Sequence, residues 1–268
     1  MLQPFVLLIA LAAAGAQDAP LEIANAHATY GYLGAKHPAV EGRLPGDIIF
    51  FTFDIKNMKL DDAGRASYSL LVEVMDDKGQ MIYKQGPTNA VALNYLGGNS
   101  LPCSAHLELP LDSVPGTHHF KVTITDRQAN KSVSLEKMGK ILGRDFGLVR
   151  VGTFADREGK VPAAPIGVIG ESIYLSFAPV GFARSKTTKQ PDLHISMRVL
   201  DDKGQPTFTK PLTGTVNKDV PEDLRFMPMQ FGITLNRIGQ FTIELDATDK
   251  ISGKSAKVRL PLKVVSLN

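Results

Sequence analysis

Met75-Asp76-Asp77-Lys78-Gly79-Gln80 recurs as Leu200-Asp201-Asp202-Lys203-Gly204-Gln205, 125 residues further along the chain. The likeness extends outward from both copies. Upstream, Thr29-Tyr30 matches Thr153-Phe154, Pro38 matches Pro162, Gly46-Asp47 matches Gly170-Glu171 and Phe53 matches Phe177, all at an offset of 124. Downstream, Thr125-Asp126-Arg127 matches Thr248-Asp249-Lys250 and Lys131-Ser132 matches Lys254-Ser255, at an offset of 123. So slow a drift marks an internal duplication. Residues 17–142 and 143–268 form the two units.

Each unit reads as all-β. Ile49, Phe51, Phe53 and Ile55 alternate along one strand, Tyr68, Leu70, Val72 and Val74 along the next, and Phe120, Val122 and Ile124 along a late one. In the second unit Ile195, Met197 and Val199, then Phe241, Ile243 and Leu245, then Val258, Leu260, Leu262 and Val264 repeat the pattern. A period of two places these side chains on one face of a strand and sends Glu73, Lys121, Arg198 and Glu244 to the other. The Asp-Asp-Lys-Gly segments are turns, with Asp early and Gly where φ is positive. No window holds a helical period over a useful length. Short strands spaced this way, each with one buried face, predict a β-sandwich per unit.

Phe5 to Ala14 is an apolar run followed by Ala14-Gly15-Ala16, the small-x-small pattern of a cleavage site. The run is much shorter than the roughly 20 residues needed to span a bilayer. It therefore predicts a signal peptide over 1–16, cut between Ala16 and Gln17, and a periplasmic or secreted protein. No Cys follows the cleavage site to carry a lipid, and no later run is long enough for a transmembrane segment. Cys103 is the single cysteine, so it has no intrachain disulfide partner, and no His or basic cluster adjoins it to activate the thiol.

Pro115-Gly116 through Asp126 to Ser132, and Gly239 through Asp249 to Ser255, share one plan: a turn Gly, an alternating strand ending in Asp, and a tight return. This plan resembles the last two strands of immunoglobulin-like (fibronectin-III-like) domains in exported bacterial proteins. The resemblance covers both units and implies two tandem Ig-like β-sandwiches; it implies no activity. The Cys-Trp-Cys framework of antibody domains is missing, and His118, Phe120 and Phe241 stand in the region of the tyrosine corner.

The segment 138–147, with three glycines, links the units and is short enough to limit their freedom. Residues 17–142 carry 12 basic and 14 acidic groups, whereas 143–268 carry 18 and 13, so the positive excess lies in the second unit. Much of it gathers at Arg184, Lys186 and Lys189. With no interleaved aromatics and an export signal, that loop does not suggest nucleic acid; it reads first as a solvated loop, with an electrostatic contact to an acidic envelope polymer or partner protein as the alternative.

Little else suggests chemistry. The histidines are scattered, and His118 and His119 are neighbours on a strand, pointing to opposite faces. The acidic pairs Asp61-Asp62, Asp76-Asp77 and Asp201-Asp202 fit turns better than a calcium shell, which needs about six to eight oxygens. A junction calcium near Asp145, Asp156 and Glu158 stays an open alternative. There is no nucleophile elbow and no phosphate loop before a helix. No catalytic, cofactor or metal residues are expected. The recognition candidates are Tyr30, Tyr32 and Tyr95, beside turns, and the stretch Phe226 to Phe231, which either exposes an apolar patch or, as we expect, wraps the open side of its sandwich. These readings favour a non-catalytic protein-binding or structural module. A carbohydrate- or cell-wall-polymer-binding module is the runner-up, and an enzyme is a distant third.

Overall fold

A computed structural model describes residues 19–38 and 42–267. The signal peptide expected at 1–16 lies outside them. The described residues form strands, turns and loops, and no helix among them is long and apolar enough to cross a membrane.

The first unit supplies β1 (Glu22–Thr29), β2 (Ile48–Lys56), β3 (Arg65–Met75), β4 (Met81–Leu93), β5 (Ser100–Glu108), β6 (Gly116–Asp126) and β7 (Lys131–Ile141). They form two sheets, ordered β1-β2-β5 and β4-β3-β6-β7. The second unit supplies β8 (Gly147–Phe154), β9 (Ile166–Val168), β10 (Ser172–Val180), β11 (Leu193–Leu200), β12 (Leu212–Val216), β13 (Met229–Thr234), β14 (Gly239–Asp249) and β15 (Lys254–Val265). Its sheets run β13-β10-β8 and β12-β11-β14-β15-β9. The pairing plan is the same twice over, a smaller sheet facing a larger one. All strands pair antiparallel except β9, which runs parallel to β15; its counterpart is one parallel bridge, Arg43 to Ile141.

The alternating residues fill the space between the sheets. Phe53, Ile55, Val72, Val122 and Ile124 are buried in the first sandwich, and Ile195, Met197, Ile243, Leu245 and Leu260 in the second. The repeated turns are built alike. Asp76 Oδ1 accepts from the Lys78 and Gln80 amides at 2.9 and 2.8 Å, and Asp201 Oδ1 from the Lys203 and Gln205 amides at 3.0 and 2.8 Å. Gly79 and Gly204 follow at φ +78° and +75°, where a Cβ would be strained.

A buried carboxylate ends each penultimate strand. Asp126 accepts from the amides of Lys59, Gln128 and Ala129, and Asp249 from the amides of Ala183 and Ile251 and the Ser252 hydroxyl. In both sandwiches this aspartate ties the loop after the central strand of the smaller sheet, β2 or β10, to the turn before the last strand. It satisfies backbone donors that would otherwise be buried unpaired.

Two sequence expectations are corrected. The match of Thr29-Tyr30 to Thr153-Phe154 is one residue out in space. Thr29 pairs with Phe50, whereas Phe154 pairs with Tyr174, the residue equivalent to Phe50. The offset along β1 and β8 is therefore 125. It aligns Asn25 with Arg150, residues at φ +55° and +52° in the bulge that each strand carries. The link is also shorter than 138–147, because Met138 to Ile141 complete β7 and Gly147 opens β8. Ile141 and Phe146, at the two ends of the connection, are each buried in the core of their own unit.

Candidate interaction surfaces

β4 is an edge strand with thirteen residues, paired to β3 on one side and to no named strand on the other. Its side chains are exposed almost throughout, including Met81, Ile82, Tyr83, Val91 and Leu93. Lys84 is its sole charge, and that ammonium lies 3.4 Å from Glu73. Exposed edges invite pairing with another chain, and proteins usually guard them by shortness, charge or proline. Two other edges obey that rule. The equivalent strand β12 has five residues, and β7 carries Lys131, Glu136, Lys137 and Lys140.

The guard on β4 is Gly86-Pro87. At Gly86, φ is +92° and a Cβ would fall 2.6 Å from the Leu70 carbonyl oxygen, so only glycine fits. The register slips there, between Leu70 and Val72, and again between Val74 and Met75, so that Thr88 to Leu93 is the longest regularly paired segment. Pro87 has no N–H to offer a partner strand. β4 leads into a loop tip on which Tyr95 is 79% exposed and Leu96 is completely so.

The second surface is a cleft of about 830 Å³ between the sandwiches. A close contact sets its floor: a Cβ on Gly31 would lie 3.3 Å from the Gly152 Cα. Arg150 spans the junction. Its amide donates to Asp47 Oδ1 at 2.8 Å, its Nε to the Gly46 carbonyl at 3.0 Å, and its guanidinium lies 4.6 Å from the Phe226 ring centroid. Asp47 also accepts from Arg43 Nη1 at 3.1 Å. Arg43 and Asp47 are both 8% exposed, and Arg43 Nη2 is buried with no hydrogen-bond partner. His37 stands in the same wall, its ring 4.4 Å from that of Tyr30. Burial, and then the neighbouring Arg43 charge, lower its pKa from 6.5 to about 4. Its Nδ1 contacts the Pro38 carbonyl oxygen, an obligate acceptor, so that nitrogen carries the proton of the neutral ring.

The structure disperses the residues singled out in the sequence. Tyr30 is not a surface ring: it is 9% exposed and packs with the core of the second unit. Tyr32 and Phe226 line the cleft wall, and Tyr95 stands at the β4–β5 tip. Arg184 is not a free loop cation, because its guanidinium donates to the carbonyls of Lys189, Pro221 and Leu224 at 2.7–2.9 Å. Those carbonyls need donors where two loops meet, which makes the residue a brace. Lys186 and Lys189 are exposed beside it. Phe231 stacks on Phe177, with centroids 5.8 Å apart, so the stretch from Phe226 wraps the sandwich. Asp145 bonds Lys254 Nζ at 2.6 Å, and Asp156 accepts from the Lys160 and Val161 amides. Among the described residues no three metal-binding side chains converge.

Sequence reasoning missed β4 and the Arg43–Asp47 pair. β4 is exposed through most of its length and turns only the small Ala90 and Ala92 inward, so its alternation is faint; its signal is a long run with a single charge. Arg43 and Asp47 come from an irregular stretch whose burial depends on the other sandwich.

No protein-family profile and no curated protein matches the chain. Among solved structures it is similar to red sea bream transglutaminase (11% identity, TM-score 0.28, 91% of this chain and 31% of that one). It is also similar to the C-terminal domain of the Streptococcus pyogenes antigen I/II-family protein AspA (10%, 0.29, 91% and 99%). A third similarity is to dimeric latent PorU from Porphyromonas gingivalis (10%, 0.40, 93% and 20%). The chain thus spans under a third of the transglutaminase and a fifth of PorU.

Proposed function

We propose that this is an exported, non-catalytic binding module of two Ig-like sandwiches, and that it takes an extended segment of another envelope or extracellular protein as an added strand on β4. One observation carries the reading: a thirteen-residue edge with a single charge and exposed along most of its length, where the equivalent strand β12 is short and β7 is charged. Strand addition draws affinity from main-chain hydrogen bonds and specificity from alternate side chains. Met81, Ile82, Val91 and Leu93 favour a partner strand with apolar side chains and few charges. The carbohydrate reading asks for grouped, exposed rings, and the burial of Tyr30 takes one of its three tyrosines away.

The test is a pull-down of the tagged mature protein from envelope and culture fractions, compared with an Ile82→Lys/Val91→Lys variant. The partner is then mapped by amide hydrogen exchange. A stoichiometric partner that protects amides within 81–93, and is lost in the variant, supports the proposal. Undiminished capture by the variant, or recovery of the protein alone, overturns it. A dimer of the protein alone that these substitutions dissociate would make the occupant a second copy.

A further inference from the structure

The duplication supplies an internal control for the seam between β1 and β7. In the second sandwich the equivalent seam is shut. β9 runs along β15, and Leu260 and Leu262 point inward, 2% and 3% exposed. Gly116 pairs with Ile141 as Gly239 pairs with Val264, so the offset along the last strand is 123. Lys137 therefore stands where the second sandwich has Leu260, and Gly139 where it has Leu262. Arg43, the bridge to Ile141, stands where β9 has Gly167. Where the second sandwich has two core leucines, the first has a cation and a glycine; the Phe120 ring, larger than its counterpart Ile243, fills the space over Gly139, and a cavity of about 540 Å³ lies beside Lys137.

Its walls are apolar, from Ile49, Phe51 and Phe120; the two rings lie 5.9 Å apart. Its rim is cationic. Lys36, Lys137 and Lys140 are exposed and have no ion pair among the described residues; Arg43 also lines the cavity, its charge paired with Asp47. No acidic side chain is among the described lining residues. Drift in a core would leave a smaller apolar residue or a void; here a lysine occupies an inward register beside two further lysines. We infer that this seam is a binding site for a single-chain anionic amphiphile, an acyl body between the Phe51 and Phe120 walls with a carboxylate or phosphate head among the lysines. An apolar pocket with a few convergent charges suits such a ligand, and the inference does not depend on the β4 edge.

The test is isothermal titration of the mature protein with dodecanoate, dodecyl phosphate and dodecanol, each below its micellar concentration. One-to-one binding of either anion, weakened by salt, is expected, with dodecanol bound at least roughly tenfold more weakly. The two anions together tell a carboxylate-selective site from a phosphate-selective one. Lys36→Glu/Lys140→Glu, at exposed positions, should weaken the anion by roughly tenfold or more. Lys137→Leu, which restores the residue type of the second sandwich, should remove binding and raise the melting temperature. Equal binding of dodecanol, no binding of either anion, or unchanged affinity in folded lysine variants overturns the inference.

Discussion

Replacing Asp47 with alanine strands a buried cation. Asp47 accepts from Arg43 Nη1 and from the Arg150 amide, and both residues of the ion pair are about nine-tenths buried. Removing one member of a buried pair costs about 3–5 kcal/mol, most of it the uncompensated charge left behind. The orphaned amide adds about 1–3 kcal/mol. With some overlap between the two, Asp47→Ala should lose about 4–6 kcal/mol, a large share of the roughly 5–15 kcal/mol that holds a domain together. Adding Arg43→Met removes the stranded guanidinium but leaves the amide unpaired, so the double variant should recover to within about 1–3 kcal/mol of the parent. Urea unfolding followed by tyrosine fluorescence isolates the effect, because five of the six tyrosines (30, 32, 68, 83 and 95) lie in the first sandwich. The midpoint shift times the slope gives the free-energy change. A single variant within about 1 kcal/mol of the parent, or a double variant no better than the single, would refute the buried-pair argument.

Protonation of His37 works against the fold. Its folded pKa of about 4 lies below the ordinary 6.5, so the stability it contributes is complete above pH 6.5 and is lost as pH falls from there through about 4. The melting temperature of the parent should therefore drop more steeply over that window than that of His37→Gln, and parallel curves would count against it. Cys103 should resist modification. Burial raises its thiol pKa, and its Tyr68 neighbour is itself pushed up to about 12, chiefly by burial. Ellman's reagent at pH 8 should label the native protein at least about tenfold more slowly than the urea-unfolded chain; equal rates would place the thiol in an open environment.

Much of the fold was legible because burial on one face leaves a period of two. Ile195, Met197 and Val199, or Phe120, Val122 and Ile124, reveal their strands without help. The duplicated turns were legible for a local reason: Asp76 and Asp201 bond amides two and four residues ahead, so the turn is written into a few adjacent residues. The candidate sites were less legible. Tyr30 reads as a turn tyrosine until the second sandwich covers it, and Arg184 reads as a loop cation until three carbonyls converge on it. β4 has little pattern to read because only Ala90 and Ala92, near its end, are partly covered.

Local chemistry thus determined the strands, the turns and the duplication, since each depends on neighbours close in the chain or on a fixed repeat. The tertiary structure alone decided which edge stays open, where Arg43 and Asp47 are buried, and that Lys137 and Gly139 stand in a core register. Those are contacts between segments tens of residues apart, whose free energy depends on what the facing segment excludes from water, and that appears only when the sheets are stacked.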